Sequence, residues 1–97
     1  MNAQEIIRTG DVVVRIMTLA EGSATEWHHH SAVSDFFVCL SGVVTVENRH
    51  PGLAVTPPPG QRTEIKPPQI HRVVNNRSGP SEYLLVQGLG AYDCIKE

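Results

Sequence analysis

The feature that most constrains this chain is its punctuation. Short β-branched or aromatic runs are broken by Gly, Pro, Ser and Asn at intervals of roughly 8 to 12 residues, and no segment sustains a 3.6-residue period. A helix long enough to pack needs an unbroken amphipathic stretch of about 10 residues or more, so helical folds are excluded. Thr9-Gly10-Asp11, Glu21-Gly22, Ser41-Gly42, Pro51-Gly52, Pro59-Gly60 and Ser78-Gly79-Pro80 each offer a Gly or Pro where the chain must reverse. Between them the pattern predicts strands over Glu5–Arg8, Val12–Leu19, Thr25–His30, Asp35–Leu40, Val43–Asn48, Leu53–Thr56, Thr63–Ile65, His71–Asn75 and Tyr83–Gln87. Pro57-Pro58-Pro59 and Pro67-Pro68 belong to connections or rims, because proline has no N–H to give to a ladder. The expected fold is all-β, a sandwich or barrel of two packed sheets.

Size and charge narrow the partners. A chain of 97 residues buries about two-thirds of its unfolded surface, enough for one core, so residues 1–97 are read as a single domain. A net charge of −2, with basic residues scattered rather than striped, gives no reason to expect nucleic acid or an anionic membrane. No apolar run nears the ~18 residues of a membrane span. Cys39 and Cys94 are far apart, and the N-terminus has no apolar signal core, so both read as reduced thiols of a cytoplasmic protein. A domain this small makes pairing into a homodimer attractive.

Chemistry concentrates in one segment. On a strand, His28 and His30 point to the same side about 6.6 Å apart, close enough to share one ion. His29 then faces the other way, as does Trp27, which reads as packing on the outer layer. Four residues separate His30 from Asp35, the length of a hairpin loop, so a carboxylate is expected beside His30 at the start of the next strand. His71, on a much later strand, would arrive from across the barrel. Three imidazoles and a carboxylate suit a divalent first-row metal with positions left open for water or substrate.

These residues resemble the two signatures of the cupin superfamily, which implies its fold, a small jelly-roll β-barrel of two packed antiparallel sheets. The first, G-x5-H-x-H-x(3,4)-E-x6-G, is matched at every offset by Gly22, His28, His30 and Gly42, with Asp35 in place of the family glutamate. The second, G-x5-P-x-G-x2-H-x3-N, is matched by Gly60, His71 and Asn75, while Lys66 and Pro68 replace the proline and inner glycine. Together they span Gly22–Gly42 and Gly60–Asn75. Aspartate reaches about 1.5 Å less than glutamate, so Asp35 either needs its strand to move closer or acts through water.

The resemblance implies His28, His30, His71 and Asp35 as ligands of one divalent ion (Fe, Mn, Ni or Zn), with Asp35 completing the sphere or serving as base. It implies a metal-dependent isomerase, lyase, cyclase or dioxygenase acting on a small oxygenated metabolite. The alternative is a barrel that binds a small ligand or carbohydrate without turnover, as in sensory cupin domains. Strand parity adds Arg15, Met17, Phe37, Tyr83 and Gln87 as candidates for substrate contact, Arg15 through a bidentate fork to a carboxylate. Arg15 also reads as a solvated cation and Tyr83 as a satisfied rim tyrosine. Cys39 shares parity with Asp35 and reads as a small buried hydrophobe, the alternative being a thiol near the metal. Phe36, Val38 and Leu40 form an apolar stripe on the opposite face of that strand, for a second layer or a dimer interface. His50, beside Pro51-Gly52, reads as an exposed hairpin residue. No Ser/His/Asp order, P-loop or CxxC appears.

Overall fold

Alternating burial explains why the longest runs become strands. Along Val12–Leu19, Ser34–Ser41 and Ser81–Gly88 the buried residues Val13, Met17 and Leu19, then Asp35, Phe37 and Cys39, then Ser81, Tyr83, Leu85 and Gln87 share one parity, the period of a pleated strand with one face on a core. The computed structural model describes residues 2–97. Its ten strands are β1 (Asn2–Arg8), β2 (Val12–Leu19), β3 (His28–His29), β4 (Ser34–Ser41), β5 (Thr45–Asn48), β6 (Leu53–Val55), β7 (Arg62–Ile65), β8 (His71–Val74), β9 (Ser81–Gly88) and β10 (Ile95–Lys96). No helix occurs among the described residues, and hence none long and apolar enough to cross a membrane.

The strands form two five-stranded antiparallel sheets, the first in the order β1-β2-β9-β4-β7 and the second β10-β3-β8-β5-β6. Consecutive strands repeatedly change sheet, as in a jelly roll, so the two layers enclose one interior. Met17, Leu19, Phe37, Cys39, Tyr83 and Leu85 pack from the first sheet against Val44, Val46 and Val73 from the second. Full burial of side chains such as Phe37 or Leu19, at 1% and 0% exposure, stabilises the fold by about 1.5–3 kcal/mol each.

Two turn positions hold the layers in register. Gly42 has φ +75°, and a Cβ there would lie 2.3 Å from Ser81 Oγ, the hydroxyl that accepts a hydrogen bond from Val43 N–H. Asn75, wholly buried, donates through Nδ2 to the carbonyls of Leu19, Ala20 and Gly79 and accepts from Arg77 N–H. It clamps the end of β8 to the loops after β2 and before β9.

The structure departs from the sequence reading in particular places. The strand expected over Thr25–His30 is regular only at His28–His29. Before it, Thr25 uses its hydroxyl as well as its N–H to bond Val73, a side chain standing in for a ladder partner. The hairpin expected between His30 and Asp35 is instead a crossover, because β3 and β4 lie in different sheets. Val33, 1% exposed, anchors that crossing in the interior. Strand β10 was not expected; two residues are too few to show a period.

Candidate metal centre

The change of sheet between His30 and Asp35 makes the site. His28 and His71 are direct cross-strand partners on β3 and β8, so His71 comes from beside His28 rather than from across the barrel. The residue that comes from across is Asp35, whose partner in the first sheet is Gln87. His30 follows β3 immediately and leans into the same space. One ligand atom from each of His28, His30, Asp35 and His71 lies within 4.8 Å of the others. His30, Asp35 and His71 are buried and His28 is half-buried, which leaves the cluster open on the His28 side.

Each ring is fixed from behind. His28 Nδ1 donates to the Glu26 carbonyl at 2.6 Å, His30 Nδ1 to the Asp93 carbonyl at 2.6 Å, and His71 Nδ1 to the Gln69 carbonyl at 2.8 Å. A carbonyl can only accept, so all three protons sit on Nδ1 and a neutral ring offers only the Nε2 lone pair inward. Yet His30 Nε2 and His71 Nε2 stand 3.0 and 2.9 Å from Asp35 Oδ2. Lone pair against carboxylate is repulsive unless a cation stands between them, either a proton or a metal. This donor set fits a divalent metal: three imidazole nitrogens of fixed tautomer and one carboxylate oxygen converge on one point.

The electrostatics agree. Burial opposes the charged form of Asp35, but the Nε2–H groups of His30 and His71, present when those rings carry a second proton, outweigh it and hold the carboxyl down to about 2. Burial likewise works to lower the His30 pKa, but its bond to Asp35 and the charge there reverse the direction and raise it. For His28 burial wins, and the pKa falls below the ordinary histidine value. Gln87 Nε2 donates to Asp35 Oδ1 at 3.0 Å and stands 3.5 Å from His30 Nε2, so the second oxygen of the shorter aspartate is held as well.

A cavity of about 580 Å³ opens from the cluster. Arg15, Met17, Phe37, Tyr83 and Gln87 all line it, together with His28, His30 and Asp35; His71 lies behind, 1% exposed. Tyr83 is buried on the floor and packs against Phe37 with ring centroids 5.8 Å apart, so it is no rim tyrosine. Burial pushes its hydroxyl pKa above the ordinary value, keeping it a neutral donor. Arg15 is not free in solvent: its Nη1 donates to Gln87 Oε1 at 2.8 Å and its guanidinium lies 4.8 Å over the Tyr92 ring. Arg15, Gln87 and Asp35 thus form one hydrogen-bonded chain to the metal cluster.

Other residues fall away from the chemistry. Cys39 is 2% exposed with its Sγ directed to the carbonyls of Ser41 and Gly42, a small core side chain. His29 faces outward and pairs with Glu97, Nδ1 to Oε2 2.7 Å. Trp27 lies outside between the guanidinium groups of Arg49 and Arg72, at 4.9 and 4.7 Å. His50 is exposed.

Sequence reasoning missed the C-terminal tail. Tyr92, Cys94 and Lys96 line the cavity mouth, Asp93 supplies the carbonyl that fixes His30, and Asp93 Oδ1 accepts from Ser31 N–H at 2.7 Å. No periodicity marks these residues; their only signal is an aromatic and an acid just after Gly90.

Fold and site together define a small β-barrel with an interior three-histidine, one-carboxylate centre. The cupin-domain family profile matches residues 15–87, more than half of the sequence, and the chain belongs to the cupin family. No curated protein matches it by sequence. Among solved structures it is similar to a conserved double-stranded β-helix protein from Klebsiella pneumoniae (21% identity, 98% of this chain and 77% of that one, TM-score 0.85). It is similar also to the cupin domain of an XRE family transcriptional regulator from Enterobacter cloacae (21%, 90% and 94%, 0.80) and to the polyketide cyclase RemF from Streptomyces resistomycificus (15%, 97% and 68%, 0.81). At these identities the likeness is one of fold.

Proposed function

We propose that the protein is a metal-dependent enzyme of a small oxygenated metabolite, with His28, His30, His71 and Asp35 holding one divalent ion of Fe, Mn, Ni or Zn. The observation that carries this reading is the fixed tautomer of all three rings, each with its Nε2 aimed at a point shared with Asp35. Bound there, such an ion supplies Lewis acidity toward a carbonyl or enol oxygen, or, if iron, affinity for dioxygen. Isomerase, lyase, cyclase and dioxygenase chemistry all fall within that range.

The chain's own residues do the rest. Arg15 has five N–H donors, of which Gln87 occupies one, and no acidic side chain pairs with it among the described residues. It anchors a substrate carboxylate near the cavity mouth. Met17 and Phe37 supply an apolar wall that excludes water, and Tyr83 and Gln87 donate hydrogen bonds that orient the substrate. Asp35, whose Oδ2 lies against His30 Nε2 and His71 Nε2, completes the coordination sphere or serves as base.

Elemental analysis of the purified protein tests the reading: one divalent ion per chain is expected, with loss of that ion in His28→Ala. Absence of stoichiometric metal, together with a His28→Ala variant of unchanged stability and ligand binding, would sink it. Oxygen uptake with iron bound distinguishes the dioxygenase from the redox-neutral reactions. A second reading, ligand sensing without turnover, is supported by the likeness to the regulator's cupin domain, 94% of whose length this chain covers. It is favoured if a metal-free protein still binds small ligands in the cavity.

A further inference from the structure

The planar N–H fork of a guanidinium matches a carboxylate, and what Arg15 has free is decided by its neighbours. Nη1 donates to Gln87 Oε1 at 2.8 Å, while the Tyr92 ring, 4.8 Å away, covers a face of the guanidinium and uses none of its in-plane donors. Glu5, the cross-strand partner of Arg15 on β1, gives its carboxylate to Arg8 at 2.8 Å. The other cation lining the cavity, Lys96, is paired with Glu26 at 2.9 Å. Among the described residues Arg15 is therefore the one lining cation without an acidic partner. A divalent ion held by three neutral imidazoles and one carboxylate keeps a surplus positive charge as well. The cavity thus has two positive poles, with Met17, Phe37 and Leu85 among its walls.

The poles are close together, because Gln87 touches both. Its Oε1 accepts from Arg15 and its Nε2 stands 3.5 Å from His30 Nε2. Only the width of one amide group separates those two Gln87 atoms, so Arg15 Nη1 lies no more than about 9 Å from His30 Nε2. Bonds of about 2.1 Å at the ion and about 2.8 Å at Arg15 take up most of that gap. Two oxygens about 3–6 Å apart on one short carbon chain bridge the rest. We propose, on the metal-centre reading above, that the substrate is a short 3- or 4-oxo carboxylate, with its carboxylate on Arg15 and its oxo oxygen toward the three-histidine centre. A 2-oxo acid fits less well: both of its oxygen functions would turn to the ion in one small chelate ring and leave Arg15 empty. A neutral sugar would leave the guanidinium uncompensated. An oxo group much further along the chain reaches the ion only if the chain folds back on itself, and the apolar walls accept its methylene groups without guiding that fold.

Calorimetric titration of the metal-loaded full chain under argon tests this, with 4-oxopentanoate as the probe and the bound ion counted by elemental analysis in the same sample. The acid should bind at least about tenfold more tightly than its methyl ester, which lacks the charge, and than pentanoate, which lacks the oxo oxygen. The oxo group should add nothing when 7-oxooctanoate is compared with octanoate. Removing the ion should abolish the preference over pentanoate and keep the preference over the methyl ester. Arg15→Met should bring acid and ester to equal affinity. Arg15→Lys keeps a charge and a donor for Gln87 but not the fork, so it should hold its ion and bind the acid about tenfold more weakly than wild type; it reads the same point if Arg15→Met does not fold. In the metal-loaded chain, equal affinity for 4-oxopentanoate and either its ester or pentanoate overturns this inference alone. So does a gain from the oxo group in 7-oxooctanoate, a preference for acid over ester that survives in Arg15→Met, or an Arg15→Lys affinity equal to wild type. A chain that retains no ion overturns the metal-centre reading and this inference with it.

Discussion

At the scale of single residues, the family signature mixes two kinds of position that a sequence cannot tell apart. His28, His30 and His71 are legible as ligands because spacing puts their rings on one side, whereas Gly22, Gly42 and Asn75 occupy equally fixed offsets and touch no ligand atom. Their reasons differ. Gly22 has φ +70° and open space where a Cβ would go; Gly42 has φ +75° and Ser81 Oγ 2.3 Å from that Cβ. Gly22→Ala should therefore cost only the left-handed backbone, about 1–2 kcal/mol. Gly42→Ala adds displacement of Ser81 and the hydrogen bond it accepts from Val43, and should cost about 3 kcal/mol or more. In thermal unfolding at about 4–8 °C per kcal/mol the two variants separate clearly. Equal melting temperatures would show that the clash at Gly42 is relieved without cost. Asp35 was the least legible ligand: its reach depends on how close β4 comes to β3, and that distance between sheets is a property of packing.

At the scale of elements, the long alternating strands were legible and the short ones were not. β2, β4 and β9 carry eight residues each, enough for the period to show; β3 and β10 have two, held in place by neighbours rather than by propensity. β10 nevertheless matters to the site. It pairs with β3, Glu97 N–H donates to the Trp27 carbonyl, and the segment before it presents Asp93 to both Ser31 and His30. The tail thus sets the tautomer and angle of one ligand. Asp93→Ala removes the side-chain bond to Ser31 N–H and loosens the carbonyl that holds His30. Because outer-shell partners of metal ligands are typically worth 10–100-fold in affinity, the variant should bind metal about tenfold more weakly in a chelator competition. Its unfolding temperature without metal should change little, since the residue is at the surface. Unchanged metal affinity would mean that the His30 ring is held by Asp35 and packing alone.

For the whole molecule, the barrel was legible from turn spacing and apolar alternation, but which strands share a sheet was not, because hairpin and crossover connections of four residues look alike in sequence. That ambiguity decides the electrostatics, since the crossover brings an ionised Asp35 onto His30. In the metal-free protein the raised pKa of His30 contributes stability below the ordinary histidine value of 6.5, lost as pH rises through its folded value. His28, whose pKa is lowered by burial, works in the other direction: the unfolded chain takes up its proton more readily, so stability falls as pH drops below 6.5. The depressed Asp35 contributes stability above its ordinary 3.8, lost only as pH falls toward about 2, and adds no slope near neutrality. The two act on opposite sides of 6.5, so the metal-free melting temperature should be highest near pH 6.5 and fall as pH rises toward 8. Metal binding needs Nε2 free of protons on every ring, so at pH 6 it must displace the proton that Asp35 stabilises on His30. A free ion at a hundred times its Kd stabilises a folded protein by about 2.7 kcal/mol, and lower pH raises that Kd. At fixed metal concentration the rise in melting temperature on adding metal should therefore be larger at pH 8 than at pH 6. A rise independent of pH would place the ion away from His30, and one larger at pH 6 would mean that the cluster binds it in protonated form.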